Sequence, residues 1–113
     1  MEFTQGVRFD SLGLSPEIMR AIQERNLEMT TPVQAGCIPP MMDWQDVIAK
    51  APTGTGKTFA YGIPIIEHID PKEDCVQAVI LAPTRELAIQ ITDELRVVSA
   101  YRPGVRSVCL YGG

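Results

Sequence analysis

The sequence has too few histidines and cysteines for most metal or disulfide sites. His68 is the single histidine among 113 residues, so one chain cannot supply two histidine ligands to a metal. The three cysteines, Cys37, Cys75 and Cys109, are odd in number and contain no C-x-x-C spacing. This set supports neither a disulfide framework nor a zinc cluster, and it favours a reducing environment.

Long apolar runs and an excess of basic charge are also missing. No apolar run approaches the roughly 18 residues that a membrane span needs, and the first residues lack a secretory-signal pattern. Lys and Arg number 10 against 14 Asp and Glu, which argues against a polybasic tail but leaves room for a local basic patch. With 45% apolar residues, the composition predicts one folded, soluble, cytoplasmic domain.

Helix signals recur along the chain. Ser15 precedes Pro16 and Glu17, which is typical of a helix start because Ser caps free amides and Pro suits the first turn. Thr31-Pro32 repeats this device. The prolines at 39 and 40 should stop the second helix, and Pro64 should end or kink the third, because proline lacks a backbone donor. The predicted helices are 15–26, 31–40, 57–68 and 84–100.

Short apolar runs alternate with these helices. Residues 46–50, 78–82 and 105–111 are predicted as strands, and residues 9–14 as an extended segment. The order predicts an α/β domain with a parallel sheet flanked by helices. Three strands are few for a sheet buried on both faces, so we expect the sequence to be the first part of a larger domain.

Residues 51–58, Ala-Pro-Thr-Gly-Thr-Gly-Lys-Thr, fit the phosphate-loop pattern with Ala in place of its first Gly. Gly54 and Gly56 would let backbone amides turn toward an anion at the start of a helix. Lys57 would reach the β- and γ-phosphates, and the Thr58 hydroxyl would bind Mg²⁺. The loop alone predicts nucleotide binding without distinguishing kinase, GTPase, transporter and helicase. A glycine-rich surface turn is the plainer alternative.

A second motif narrows this choice. Residues 83–88, Pro-Thr-Arg-Glu-Leu-Ala, follow the second predicted strand, and together with the phosphate loop they resemble the DEAD-box ATP-dependent RNA helicase family. In that resemblance, residues 51–58 are motif I and 83–88 are motif Ia. Residues 26–34 resemble the Q motif, and 112–113 resemble the GG motif. Phe9 lies 17 residues before position 26, which is the spacing of the family's upstream aromatic.

The resemblance implies the ATP-binding segment of a partial RecA-like P-loop domain that uses ATP and Mg²⁺. Phe9 would pack on adenine, Thr31 would support the phosphate region, and the Gln34 amide would read the adenine edge because it can both donate and accept. Phe9 as a core anchor and Gln34 as an ordinary surface residue are the alternatives. Lys57 and Thr58 are implied as catalytic, with Thr58 also the metal ligand. The implied cofactor-binding residues are Phe9, Thr31, Gln34, Thr53, Gly54, Thr55, Gly56, Lys57 and Thr58.

RNA is the implied partner. Arg85 and the helix start near Thr84 would approach an RNA phosphate, while Gly112 and Gly113 would let the RNA backbone come close. Contacts of this kind carry no sequence information, so binding would be sequence-independent. Glu86 suits the helix dipole on structural grounds alone. The implied RNA-binding residues are Pro83, Thr84, Arg85, Gly112 and Gly113.

The sequence departs from the family pattern in several places. Asn26, Leu27 and Thr30 stand where the Q motif usually has Gly, an aromatic and Pro, and Trp44 stands where Gly is common. No Asp-Glu-Ala-Asp string occurs, and Asp93-Glu94 lies inside a predicted helix.

From these departures we expect the chain to bind nucleotide without hydrolysing it, because hydrolysis also needs metal-binding carboxylates and an arginine finger. Open strand edges would favour self-association or domain swapping. Two other functions stay open: a different P-loop enzyme, such as a DNA helicase or kinase, and a non-catalytic nucleotide-binding or assembly module.

Overall fold

The computed structural model describes residues 5–52, 54 and 56–112, and the predicted helices are all present in it. They are α1 (Pro16–Glu24), α2 (Pro32–Met42), α3 (Lys57–His68) and α4 (Arg85–Val98). Helix α3 is central, because α2 and α4 both pack against it, and α1 contacts α4. The segment predicted as extended begins with a short 3-10 helix, Phe9–Ser11. None of the helices in the described ranges combines the length and the apolar character that a membrane-spanning helix needs.

Side-chain caps explain where three of the helices begin. The Ser15 hydroxyl accepts a hydrogen bond from the Ile18 amide at 3.4 Å, and Thr84 accepts one from the Leu87 amide at 3.2 Å. Thr31 and Gln34 form a capping box at the start of α2. Asn26, with φ 58°, follows the end of α1 in the left-handed conformation that often ends helices. The predicted helix starts are therefore confirmed.

The prediction that Pro39 and Pro40 stop the second helix is wrong, since α2 continues to Met42. Both prolines lie in the last turns, and their carbonyls accept hydrogen bonds from the Asp43 amide at 3.3 and 3.1 Å. A proline φ near −65° is itself compatible with a helix, so only the missing donor is lost. Pro64 is likewise buried inside α3, which continues to His68.

The three predicted strands are not formed in the part of the chain that the structure describes. Residues 46–50, 78–82 and 105–111 have no strand assignment, and the isolated bridge between Arg8 and Met29 is the β pairing found there. Residues of the later two segments line a common cleft of about 710 Å³. An apolar run becomes a strand only beside a neighbour that completes its hydrogen bonds, and here each segment lies against helices instead.

These segments still alternate between two faces. Val47, Ala49 and Ala51 pack against a small cluster made by α2 and α3, whereas Ile48 is 86% exposed. Ile80 similarly packs on the main core while its neighbours face outward. The period of two is that of a strand with one face covered.

The main core is formed by all four helices and the N-terminal segment. Helices α1, α3 and α4 each contribute two or three buried aliphatic side chains, α2 contributes Ile38, and the N-terminal segment contributes Phe9. Burial of each such side chain stabilises the fold by about 1.5–3 kcal/mol. The buried members are Phe9, Ile18, Ile22, Ile38, Ile63, Ile66, Ile91, Leu95 and Val98.

A largely buried ion pair ties the elements together at the end opposite the phosphate loop. Arg102, after α4, donates to the Glu67 carboxylate at 3.1 Å and to the carbonyl of Ile66, in the last turn of α3, at 2.9 Å. Glu67 also accepts from the Ser15 amide at 2.8 Å. The network therefore joins α1, α3 and the segment that follows α4.

Candidate functional site

The Q-motif residues and the phosphate loop meet at the starts of α2 and α3. Gln34 is buried, and its side chain uses both ends of the amide. The Oε1 atom accepts from the Thr31 amide at 2.9 Å, and Nε2 donates to the Gly56 carbonyl at 3.1 Å. Gln34 thus takes part in the capping box of α2 and also binds Gly56, the residue that precedes α3. Gln34 is not an ordinary surface glutamine, because only 4% of it is exposed.

Gly56 is required at this junction for two independent reasons. Its φ of 79° lies in the left-handed region that residues with a Cβ rarely adopt. A Cβ at this position would also stand 2.3 Å from Gln34 Nε2, well inside contact distance. The motif glycine therefore allows both the turn into α3 and the close approach of Gln34.

The start of α3 has the features of an anion site. No side chain among the described residues caps this helix, and the positive end of its dipole faces the loop. Lys57 is exposed at the first position, and Thr58 follows it half-buried. These donors are of the kind that suits the phosphates of a nucleotide.

Tyr61 is a neighbour of Thr58 that the sequence motifs do not select. Burial raises the pKa of the Tyr61 hydroxyl, while its hydrogen bond with Thr58 lowers it in part. The two residues are three positions apart on one helix, a spacing that places side chains next to each other. That spacing is the sequence signal for Tyr61. Among the described residues, no group of three or more His, Cys, Asp or Glu side chains could hold a metal by itself.

The other expected nucleotide contacts are placed as follows. Gly54 has φ 84° and open space around it. Phe9 is 1% exposed and packs in the core, as the alternative interpretation expected, and its amide donates to the Glu28 carbonyl at 3.0 Å. Its contact with adenine stays a prediction. Thr53 and Thr55 lie outside the described residues.

Motif Ia and the GG motif are in direct contact. Arg85 Nη2 donates to the Gly112 carbonyl at 3.1 Å. The Thr84 hydroxyl is engaged as the cap of α4, and Pro83 is exposed. A Cβ on Gly112 would meet nothing within 4 Å, so this surface is open on the side of the glycine. Gly113 lies outside the described residues.

Tyr111 is a second residue that the motif analysis did not select. The Arg85 guanidinium carbon lies 4.7 Å from the centroid of its ring, and Tyr111 is 54% exposed. The sequence signal is its place immediately before the glycine pair. The structure therefore brings Arg85, Tyr111 and Gly112 together at the start of α4.

Two curated bacterial proteins are similar over most of the chain. The DEAD-box ATP-dependent RNA helicase CshA of Geobacillus kaustophilus is 51% identical over 105 residues, which are 93% of this chain and 22% of that protein. The ATP-dependent RNA helicase DeaD of Haemophilus influenzae is 42% identical over 110 residues, 97% of this chain and 18% of that protein. The chain thus spans about a fifth of the length of these relatives.

Solved structures show the same likeness. A DEAD box protein from Methanococcus jannaschii superposes with a TM-score of 0.76 at 39% identity, covering 80% of this chain and 25% of that one. Saccharomyces cerevisiae Dbp5 bound to RNA and ADP BeF3 gives a TM-score of 0.79 at 30% identity, covering 83% of this chain and 25% of that one. The fold described here corresponds to part of the fold of those proteins.

The family model for the DEAD/DEAH box helicases matches residues 31–113. This range begins at the capping residue Thr31, contains the Gln34–Gly56 junction, and extends through the contact between Arg85 and Gly112. The chain belongs to the DEAD/DEAH box helicase family.

Proposed function

We propose that the chain is the ATP-binding segment of an ATP-dependent RNA helicase that separates or remodels short RNA duplexes. The observation that carries this proposal is the junction at Gln34, which links the Q-motif helix to the last glycine of the phosphate loop through its amide. This contact holds the Gln34 amide beside the start of α3, which supports a nucleotide site there. The curated relatives are named as RNA helicases, which supports the same activity.

Each residue of the junction has a distinct task in this proposal. Lys57 and the first-turn amides of α3 hold the phosphates, and the Thr58 hydroxyl is the protein ligand of Mg²⁺, which neutralises phosphate charge. Gln34 reads the adenine edge by exchanging a present hydrogen bond for one to the base, and Thr31 keeps the start of α2 in place. Phe9, Thr53, Gly54 and Thr55 complete the nucleotide site as the family resemblance implies.

RNA binds at the second group of residues. Arg85 and the start of α4 contact a phosphate, and Gly112 and Gly113 admit the backbone beside them. Pro83 and Thr84 shape the turn that precedes the helix. Dbp5 was solved bound to RNA and ADP BeF3 together, which supports a protein of this fold holding both ligands at once.

We propose that the three extended segments form a parallel sheet when each lies beside another strand. The period-two exposure of residues 46–50, 78–82 and 105–111 supports this assignment. The 113-residue chain by itself has open backbone edges, so we propose that it self-associates or exchanges segments. A monodisperse monomer at high concentration in light scattering would refute the self-association.

The isolated chain is expected to bind nucleotide and to leave it intact. Hydrolysis needs a metal-binding carboxylate and an arginine finger in addition to the phosphate loop. Asp93 and Glu94 lie in α4, where Asp93 pairs with Arg96 at 3.7 Å, and they do not follow an apolar segment. A cytoplasmic location stays a prediction.

Calorimetric titration with ADP and GDP tests the proposal. ADP should bind to the chain, while GDP should bind about tenfold more weakly or worse, because its O6 acceptor cannot replace the adenine amino donor. Lys57→Ala should weaken ADP binding by about tenfold or more, since a charge-assisted hydrogen bond is lost.

Lys72→Ala is the matched control, because it removes an exposed lysine from a loop beyond the end of α3 and should leave ADP affinity unchanged. Equal affinity for ADP and GDP would contradict the role of Gln34. Binding of neither nucleotide would show that the junction does not form an anion site in this chain.

A further inference from the structure

Arg85 is an unusual residue for the position that it occupies. It is the first residue of α4, where the helix dipole disfavours a positive charge. Its guanidinium is directed to the segment 111–112, where it donates to the Gly112 carbonyl at 3.1 Å and lies 4.7 Å from the ring centroid of Tyr111. These two contacts hold a cation beside the start of α4.

The ring of Tyr111 favours one orientation of the guanidinium, because a cation over an aromatic face is attracted to that face as a whole. An arginine that is held in advance loses less conformational freedom when it binds a phosphate. Tyr111 is 54% exposed, so the pair lies at the surface, where a polyanion can reach it.

We propose that Tyr111 is a positioning residue that orients Arg85 toward a phosphate of single-stranded RNA. The inference rests on the proposed function and deepens it, because it assigns to a residue outside both motifs the task of orienting the arginine of motif Ia. Tyr111 acts through Arg85 and needs no contact with the RNA.

The first measurement is the NMR signal of the Arg85 side-chain N–H group in the 113-residue chain. An aromatic ring above a guanidinium shifts this signal through its ring current. The shift should be present in the unmodified chain, retained in Tyr111→Phe, and lost in Tyr111→Ala. Its absence from the unmodified chain would overturn the proposal before any ligand is added.

The second measurement is the titration of the same variants with a short oligouridylate at low salt. Tyr111→Ala should weaken binding about two- to fivefold, as expected for an exposed cation–π contact, and Tyr111→Phe should retain it. Arg85→Ala should weaken binding at least as much. Arg96→Ala, which removes a charge near the other end of α4, should have a smaller effect than Arg85→Ala.

The double variant Arg85→Ala with Tyr111→Ala separates positioning from independent contact. If Tyr111 acts through Arg85, the double variant binds as weakly as Arg85→Ala alone. Additive losses would mean that Tyr111 contacts RNA itself and would overturn the positioning role. A loss with Arg85→Ala but none with Tyr111→Ala would overturn the inference and leave the proposed function standing. No oligouridylate binding by the unmodified chain would contradict both.

Discussion

The helices and the extended segments of this chain differ in how their backbone hydrogen bonds are formed and in how much of their surface is buried. The four helices have their main-chain hydrogen bonds within themselves, begin at clear caps in three cases, and share one core. The extended segments have one face on the helices and the other in solvent, where Val79, Leu81, Val108 and Leu110 are 75–90% exposed. The backbone hydrogen bonds of a helix form within the helix, whereas those of a strand form only with a neighbouring strand.

This difference also divides the two candidate sites. The proposed nucleotide site lies at the starts of α2 and α3, where Gln34 bonds to the Thr31 amide and to the Gly56 carbonyl. The proposed RNA site combines the start of α4 with Tyr111 and Gly112, which lie at the end of the last extended segment. We therefore expect the 113-residue chain to form its nucleotide site more completely than its RNA site.

The largest change in stability should come from truncating a buried isoleucine of a helix, and the same truncation in an extended segment is the matched control. Ile63 is fully buried in α3, so Ile63→Ala should lower the free energy of unfolding by about 2–5 kcal/mol through lost burial and a cavity. Ile48 is 86% exposed on an extended segment, so Ile48→Ala should change it by about 0.5 kcal/mol or less. Urea unfolding followed by circular dichroism measures both. Comparable losses would show that the outer face of the segment is covered.

Two arginines offer a second comparison. Arg102 pairs with Glu67, whose side chain is only 8% exposed, so Arg102→Ala should cost about 3 kcal/mol by leaving that carboxylate without its cation. Arg106 pairs with Asp74 on the exposed surface of an extended segment, and Arg106→Ala should cost about 0–1 kcal/mol. Thermal unfolding of the two variants at one pH tests this ranking. A larger loss with Arg106→Ala would reverse the comparison.

The helices could be predicted because their signals are local. Ser15, Thr31 and Thr84 each precede a helix and accept a hydrogen bond from its first turn. The end of α2 was predicted too early, because Pro39 and Pro40 each lack a backbone N–H donor but still fit the helical conformation. Whether a helix continues past such residues depends on its packing, which the local sequence does not give.

The sequence predicted three strands but could not show whether they pair, because strand pairing depends on residues far away in sequence. The alternation in residues 105–111 gives the faces of a strand but not its partner. For the site, the motifs located Gln34, Gly56 and Lys57. They did not reveal that Gln34 uses its amide within the protein, or that Tyr61 and Tyr111 adjoin Thr58 and Arg85.

A smaller effect should follow from removing a helix cap. Ser15→Ala removes the hydroxyl that accepts from the Ile18 amide, which should cost about 1 kcal/mol. The matched control is Ser107→Ala in an extended segment, where we expect a change within about 0.5 kcal/mol. Urea midpoints of the two variants measure the difference. Equal midpoints would show that this cap does not stabilise α1 in solution.

The smallest effect concerns pH and Tyr61. Burial raises its pKa above the ordinary value of 10.0, so the folded state holds the phenolic proton more tightly than the unfolded state. The resulting stability is fully present below pH 10 and is lost as the pH rises through the folded pKa. Tyr61→Phe should therefore show a flatter loss of stability in alkaline solution. Parallel curves for the two proteins would contradict the burial of this hydroxyl.

In this chain the backbone hydrogen bonds of the helices are formed, while those of the extended segments need a neighbouring strand. Native-state hydrogen exchange in dilute solution tests this claim most directly. We predict slow exchange for the core amides of α3 and α4 and fast exchange for residues 78–82 and 105–111. Protection of those segments should rise only as protein concentration increases. Protection equal to that of α3 at the lowest concentration would show that the segments are already paired, and would contradict the claim.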